Sequence, residues 1–338
     1  MFNKIYESIK NFIVDNYKFL IVWGIILFLF FYELPYVIYT PGGVVNLNDR
    51  IEVSDGYEID GSLNMSYVSL VKGTLPMILL SYLLPNWDLV NQEEITREDE
   101  SVDELLELEK LYMKSSIDNA TILAFNKSGN YLEITKEVNN IVYIADEADT
   151  DLEMYDEVIS ADGKDINNVA ELREIVNSKN EGDTIKFIVL RNGKEKECSA
   201  KIYDTEDGLK VGISFLTTYE YDTDPSINIE TKSSESGSSG GLMLTLAIYD
   251  LITEDDIAAG RTIVGTGTIS VDGTVGEIDG VKYKLLGASK NAADIFLCPM
   301  ENYEEAITVK EEFDLDIEIK GVATFDEALE YLTNFEFR

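Results

Sequence analysis

Serine and glycine occupy every position but one of residues 234–241, and an apolar segment that favours a helix follows at residues 242–249. The first turn of a helix carries backbone N–H groups that have no intrahelical partner. A serine hydroxyl placed there can attack a carbonyl carbon while the free N–H groups bind the anion that forms. The stretch is therefore a candidate site for a serine nucleophile.

The chain contains no histidine. This excludes Ser-His-Asp and Cys-His mechanisms, together with every metal site that needs imidazole. A serine nucleophile then needs another base, and Lys282 and Lys284 lie inside an otherwise apolar run at residues 280–288. Burial disfavours the charged form of lysine and lowers its pKa from about 10.4 toward neutrality. The residues alone indicate a Ser-Lys dyad and leave open which serine and which lysine form it.

The surface is expected to be strongly acidic, because 64 acidic residues stand against 27 basic ones and give a net charge of −37. Such a surface repels phosphate backbones, so we expect no nucleic-acid partner. The two cysteines, Cys198 and Cys298, fall in different predicted domains. Separate thiols are therefore expected rather than a disulfide framework.

An apolar, aromatic and glycine run covers residues 19–32, and after Glu33 it resumes as far as Tyr39. Together these residues come close to the ~20 that cross a bilayer. A cleaved signal peptide is the alternative interpretation, but no Ala-x-Ala-like cleavage site follows the run. We therefore expect an uncleaved transmembrane helix over residues 19–40.

The basic residues near this span predict its orientation. Lys4, Lys10 and Lys18 precede it, and no basic residue follows until Arg50. By the positive-inside rule, residues 1–18 are cytoplasmic and the bulk of the chain is extracytoplasmic. The predicted location is the cell membrane, with a single pass.

Residues 41–130 are predicted to form an extracytoplasmic N-terminal region. Short strand-like segments with turns at Asp55-Gly56 and Asp60-Gly61 come first. Leucines at helical spacing then predict a helix that ends the region, with an acidic face directed to solvent.

Residues 131–204 read as a β-rich module with one helix, predicted over residues 169–176, and a type I′ hairpin turn at Asn192-Gly193. The run Met-Tyr-Asp-Glu-Val-Ile-Ser-Ala-Asp-Gly-Lys-Asp-Ile, which starts at Met154, resembles the second half of a bacterial PDZ domain. Tyr155 stands where such domains commonly carry glycine, and no clear Gly-Leu-Gly-Phe-type loop lies upstream. The resemblance implies a PDZ-like fold that serves either as a peptide-binding module or as a structural spacer.

Residues 205–338 alternate between strand-like and helix-like segments, as an α/β domain does. The run from Gly265 to Pro299 closely resembles the proteolytic domain of Lon. With the N-terminal apolar span and the PDZ-like module, the whole chain is similar to the membrane-anchored PDZ-Lon serine proteases of Gram-positive bacteria, the SepM-like group. The resemblance implies a multidomain α+β protein with one transmembrane helix, a PDZ-like domain and a C-terminal Lon-type α/β proteolytic domain.

The family's nucleophile lies in a Gly-Pro-Ser-Ala-Gly segment followed by Leu-Met, and alignment on the Leu-Met pair of this chain places it at Ser239. Ser238 and Gly240 replace the proline and the alanine of that pattern, so Ser238 stays open as the alternative nucleophile. The family's lysine closes a Gly-Gly-x-x-x-Lys segment and falls on Lys284. Asp279 replaces a glycine of that segment and can place an acid near the lysine.

Thr266 matches a threonine that in the family lies close to the lysine and can hydrogen-bond its amine. The resemblance thus implies an ATP-independent serine endopeptidase in which Ser239 and Lys284 form the dyad and Thr266 assists. Its substrates are expected to be exported peptides or exposed protein segments outside the cytoplasmic membrane.

No Gly-x-x-x-x-Gly-Lys-Ser/Thr loop occurs in the sequence, so we expect no nucleotide, and no cofactor or metal is expected either. The alternative function is a catalytically silent PDZ/Lon-like scaffold that binds partners at the membrane. The altered serine segment and Asp279 keep that alternative open.

Overall fold

The computed structural model describes residues 2–96, 102–206 and 208–334. Its helices are α1 (Phe2–Phe31), α2 (Leu75–Ser81), α3 (Val102–Ser128), α4 (Val169–Asn177), α5 (Gly241–Ile252), α6 (Val281–Lys290), α7 (Tyr303–Glu312) and α8 (Phe325–Thr333). Short 3-10 turns lie at Gln92–Glu94 and Met300–Asn302.

The strands fall into two groups along the chain. The strands before α4 are β1 (Glu33–Asn46), β2 (Ile51–Val53), β3 (Ser62–Thr74), β4 (Asp88–Asn91), β5 (Tyr131–Ile144), β6 (Glu157–Ala161) and β7 (Lys164–Asp165). The later ones are β8 (Thr184–Arg191), β9 (Lys194–Lys201), β10 (Tyr203–Thr205), β11 (Gly208–Lys210), β12 (Ile213–Asp224), β13 (Ile227–Ile229), β14 (Thr262–Gly265), β15 (Thr268–Ile269), β16 (Val275–Gly276), β17 (Ile295–Pro299) and β18 (Glu318–Val322).

A six-stranded mixed sheet in the order β18-β17-β14-β3-β1-β4 carries the candidate site. The four strands from β18 to β3 are parallel, and β1 and β4 pair antiparallel to their neighbours. Helices cover both faces, α3, α5 and α8 on one and α6 and α7 on the other. Alternation along β14 divides its side chains between the two cores, with Ile263 in the first and Val264 in the second.

This sheet joins segments that the sequence places in separate regions. β1, β3 and β4 come from the predicted N-terminal region 41–130 and its flank, whereas β14, β17 and β18 come from residues 205–338. The structure therefore differs from the predicted division, because β3 pairs directly with β14. Without β3 that side of β14 would be an exposed strand edge.

The apolar N-terminal helix also differs from the predicted span of residues 19–40. α1 ends at Phe31, and Glu33 already pairs with Thr74 in the sheet. Pro35 accounts for the early end, since proline biases the residue before it toward extended backbone. Within the described residues, Ile5–Phe31 is the one helix long and apolar enough to be a candidate transmembrane segment.

The PDZ-like module leaves the main sheet between α3 and β13. Its own sheet has the order β12-β5-β6-β8-β9, and α4 contributes to its core. The predicted helix is confirmed by α4, and the predicted turn by positive φ angles of 52° at Asn192 and 73° at Gly193. Tyr155 has a φ of 69°, a left-handed conformation that glycine adopts without steric cost, which explains why glycine is common there.

Candidate active site

Ser239 lies immediately before α5, and its carbonyl oxygen is held by two donors. The Thr266 hydroxyl donates to it over 3.0 Å, and the Gly267 N–H over 2.7 Å. Thr266 directly follows β14 and is fully buried. The structure thus joins two of the three predicted site residues at the carboxyl end of a central parallel strand, where ligand sites of α/β sheets lie.

The Ser238 carbonyl is held as well. The Ser116 hydroxyl of α3 donates to it over 2.9 Å, and the Gly241 N–H over 3.2 Å. Because both peptide oxygens of the adjacent serines have fixed partners, residues 238–239 form an ordered turn rather than a flexible linker.

Glycines are required on both sides of this turn. Gly237 has a φ of 94°, and its N–H donates to the Glu109 carbonyl over 2.8 Å. A Cβ at Gly241 would lie 2.6 Å from Cγ2 of Ile269, which is closer than real contacts allow. A Cβ at Gly240 would lie 2.8 Å from the Met65 sulfur, at the end of a flexible side chain that can shift. The alanine of the family pattern at this last position is therefore compatible with the fold.

Lys284 lies in the first turns of α6, which starts after Gly280 in a left-handed conformation with φ 74°. The side chain is 4% exposed, and burial lowers the pKa of its amine to about 8. The negative charges of Asp279 and Glu109 act in the opposite direction and raise this pKa. The amine therefore titrates close to neutral pH.

Lys282 has a different environment two residues earlier. Its ammonium lies 2.7 Å from Oδ2 of Asp88 and is 30% exposed. The Tyr283 hydroxyl donates to the same oxygen over 2.6 Å. Because Lys282 is ion-paired and partly exposed whereas Lys284 is buried, the surroundings of the two lysines favour Lys284 as the base.

α5 and α6 pack on opposite faces of the sheet, and their starts reach the same part of β3. The contacts are Met65 with Gly240, at the start of α5, and Val68 with Gly280, at the start of α6. β14 ends at Gly265, where the Ser66 hydroxyl donates to the Gly265 carbonyl over 3.0 Å. The two helix N-termini therefore approach each other where the central strand stops.

A cleft of about 430 Å³ opens beside Ser239. Its walls come from residues 44–46 of β1, residues 65–68 of β3 and the loop 232–237. Arg50 pairs with Glu235 of this loop over 3.1 Å and holds it against the N-terminal region. The cleft is thus built from two distant parts of the chain.

Glu109 and the cleft residues of β1 and β3 were missed by the sequence interpretation. Glu109 belongs to an acidic helix that was interpreted as a solvated face, and no local pattern distinguishes it from its acidic neighbours. Among residues 2–96, 102–206 and 208–334, no group of three or more Cys, Asp or Glu side chains is arranged to hold a metal ion.

Comparison with known families identifies both folded parts. Residues 125–202 match the family model of the PDZ domain, and residues 229–334 match that of the Lon protease (S16) C-terminal proteolytic domain. The chain has a PDZ-Lon architecture. The match to the Lon proteolytic domain supports the assignment of the chain as a serine protease. The fold is multidomain, with mixed helix and strand content and one N-terminal apolar helix.

Curated relatives of the PDZ-Lon chain are Lon proteases that match it over a short stretch. The Lon protease of Rickettsia bellii is 33% identical over 97 residues, which cover 29% of this chain and 12% of the relative. That of Metamycoplasma arthritidis is 34% identical over 98 residues, with the same two coverages. The match therefore spans about an eighth of the length of these relatives.

Two PDZ domains are among the solved structures similar to this chain. The PDZ domain of the SdrC-like protein from Listeria monocytogenes has a TM-score of 0.23 and 21% identity, and covers 25% of this chain and 93% of that one. The corresponding domain from Listeria innocua has a TM-score of 0.22 and 22% identity, and covers 23% of this chain and 92% of that one.

A second cleft, of about 1070 Å³, lies in the PDZ part of the PDZ-Lon chain. Its lining comes from α4 and from residues 209–215, with Leu172 and Phe215 among the apolar side chains and Arg173 among the charged ones. Both hypotheses for this module, peptide binding and structural spacing, are compatible with such a groove.

Proposed function

We propose that the chain is a membrane-anchored serine endopeptidase in which Ser239 is the nucleophile and Lys284 the base. The observation that carries the proposal is Lys284 itself, a buried amine whose pKa falls to about 8 on α6, which packs on β3, the strand that also lines the cleft beside Ser239. Bringing the pKa down from 10.5 to about 8 costs the folded state roughly 3 kcal/mol at neutral pH. A fold that retains such a residue is consistent with a chemical use for it.

The proton transfers follow from the chemistry of the two side chains. Neutral Lys284 accepts the hydroxyl proton as Ser239 attacks a peptide carbonyl, and returns it to the leaving amine as the acyl-enzyme forms. Water then repeats the sequence and releases the acid. Thr266 donates its own proton to the Ser239 carbonyl, so toward Lys284 its hydroxyl acts as the acceptor that orients the amine.

The oxyanion donors are proposed to be the N–H groups of Ser239 and Gly240. The N–H groups that follow are already engaged, that of Gly241 with the Ser238 carbonyl and that of Leu242 with the Gly267 carbonyl. A donor of this kind typically contributes about 3–4 kcal/mol to the transition state.

Substrates are proposed to be exported peptides or exposed, flexible protein segments, cleaved outside the cytoplasmic membrane without ATP. The cleft of about 430 Å³ beside Ser239 is an open surface site that a flexible segment can enter. The Lys10 and Lys18 side chains flank the apolar part of α1 on its N-terminal side, which favours a cytoplasmic N-terminus. An N-terminal epitope in intact cells should then be inaccessible to antibody until the membrane is permeabilised, and exposure before permeabilisation would contradict this orientation.

The test is cleavage of casein, an unstructured protein, by the purified full chain with and without ATP. We expect cleavage without ATP, its loss in Ser239→Ala and Lys284→Ala, and its retention in the matched controls Ser238→Ala and Lys282→Ala. Undiminished cleavage in Lys284→Ala would refute the dyad. Absence of cleavage by the unsubstituted chain would favour the silent scaffold.

Stability gives an independent readout that needs no substrate. Lys284→Met removes a buried amine and should raise the free energy of unfolding by up to about 3 kcal/mol at pH 7, with the gain shrinking as pH rises from 8 to 10.5. Lys282→Met should give no such gain in the free energy of unfolding, because the Lys282 side chain is ion-paired with Asp88 and partly exposed.

A further inference from the structure

Residues 75–87 form an uncharged apolar segment on the surface of a chain that is otherwise highly acidic. The segment contains α2 and reads Leu-Pro-Met-Ile-Leu-Leu-Ser-Tyr-Leu-Leu-Pro-Asn-Trp. Leu79 is 58% exposed, Tyr82 76% and Leu83 78%. Contiguous exposed apolar side chains of this kind mark an interaction surface.

The register of the main sheet fixes where this segment lies. α1 ends at Phe31, and Glu33 pairs with Thr74, the last residue of β3. α2 begins at the next residue and contacts α1. Because paired strands lie about 4.8 Å apart, α2 starts beside the point where the apolar helix ends.

We propose that residues 75–84 insert into the interfacial layer of the bilayer that α1 spans and form a second membrane attachment. This inference rests on the proposed function for the anchoring by α1. The uncharged segment continues the apolar surface of α1, and it carries Tyr82 at the level where aromatic side chains partition into headgroups.

The charge distribution also favours residues 75–84 as the surface that contacts the membrane. With a net charge of −37 the rest of the surface is repelled by anionic lipid. An apolar segment that carries no acidic side chain is the part of the chain that can approach such a surface closely. The combination of α1 and α2 then attaches the domain at two adjacent points and restricts its tilt.

The attachment sets the height of the cleft above the membrane. β3 runs from Thr74, beside the bilayer, to Met65, beside Gly240. With β3 along the bilayer normal, nine residues of strand at about 3.3 Å each place the nucleophile roughly 30 Å from the bilayer, the largest separation that this strand allows. In that orientation a membrane-bound substrate must extend its scissile bond about that far from the lipid.

The test uses fluorescence of the full chain in phosphatidylcholine vesicles, with plain or brominated acyl chains. Trp23 and Trp87, the two tryptophans of the chain, are replaced by phenylalanine, and one probe is introduced by Tyr82→Trp. The matched control is Tyr57→Trp, an exposed tyrosine near the opposite end of β3. We expect brominated lipid to remove about half or more of the emission of the Tyr82→Trp probe and little of the control emission.

Equal, weak quenching of both probes would overturn the proposal. A blue-shifted but unquenched Tyr82→Trp probe would overturn it too, because a second copy of the chain would then cover the surface. Flotation of the vesicles distinguishes failure of the second attachment from failure of the membrane anchor in the proposed function. A chain that floats with an unquenched probe contradicts only the second attachment, whereas a chain that does not float contradicts the anchor as well.

Discussion

Removing the charge of Asp279 should move the pH profile of cleavage toward lower pH. Two acids act on the Lys284 amine, Asp279 before α6 and Glu109 on α3. Burial first, and then the same two acids, raise the pKa of Tyr39 on β1. Asp279 is the largest contribution that raises the pKa of Lys284.

The size of the effect follows from the neutral fraction of the amine. With a pKa of about 8, roughly one Lys284 amine in eleven is neutral at pH 7. As a general scale, two unit charges about 10 Å apart at an effective dielectric constant between 20 and 40 interact by about 0.8–1.7 kcal/mol, or ~0.6–1.2 pKa units. Asp279→Asn should therefore make between about one third and three fifths of the amines neutral at pH 7, and raise kcat/KM there about three- to sevenfold.

The assay is the pH dependence of kcat/KM for a fluorogenic peptide, from pH 6 to 10, with the full chain. The rising limb should shift to lower pH in Asp279→Asn, and the plateau above about pH 9.5 should be unchanged, because nearly all amines are neutral there. Glu277→Gln is the matched control, since it removes one exposed charge two residues away that does not act on the amine. A limb that does not move in Asp279→Asn, or moves equally in Glu277→Gln, would refute Lys284 as the titrating base.

Thr266→Val should lower kcat several-fold while Thr266→Ser stays near the unsubstituted level, because serine keeps the hydroxyl that donates to the Ser239 carbonyl and valine does not, and a buried hydrogen bond contributes about 0.5–1.5 kcal/mol; equal activity of the two variants would contradict this. Gly241→Ala should cost about 1–3 kcal/mol in chemical denaturation, and Gly240→Ala less than about 1, since only the first meets a rigid neighbour; the reverse order would show that the turn is packed differently. Asp250 is buried, and desolvation raises the pKa of its carboxyl to about 7, so its folded form binds a proton that the unfolded form releases. Asp250→Asn should therefore raise the melting temperature more at pH 8 than at pH 5, and a pH-independent gain would count against this assignment. A membrane-tethered peptide should be cleaved when a flexible linker of about fifteen residues precedes the scissile bond, and resist cleavage with a linker of about four, because the cleft lies about 30 Å from the lipid when β3 follows the bilayer normal; equal cleavage of both would contradict that height.

Local structure and residue chemistry could be predicted from the sequence wherever residues close together in the chain determine them. The Asn192-Gly193 turn and the helix that became α4 depend on backbone preferences and on spacing within a few residues. The absence of histidine required a different base, and the order of residues around Lys284 pointed to the Lon fold. The glycines at 237 and 241 were likewise visible in the pattern before their steric reasons were known.

The tertiary structure decided what depends on pairing between distant segments. No local pattern in residues 33–74 predicts that they complete the proteolytic sheet, because strand pairing is a property of two segments and the partner lies two hundred residues away. The cleft wall at Met65 and the packing of α6 on β1 and β3, which buries Lys284, follow from that pairing, and the packing of α3 brings the charge of Glu109 to bear on the amine. The sequence by itself, through its residue types and the family resemblance, predicted Ser239, Thr266 and Lys284 as the site residues; only the fold supplied the physical difference between the two lysines, because it buries Lys284 and pairs Lys282 with Asp88.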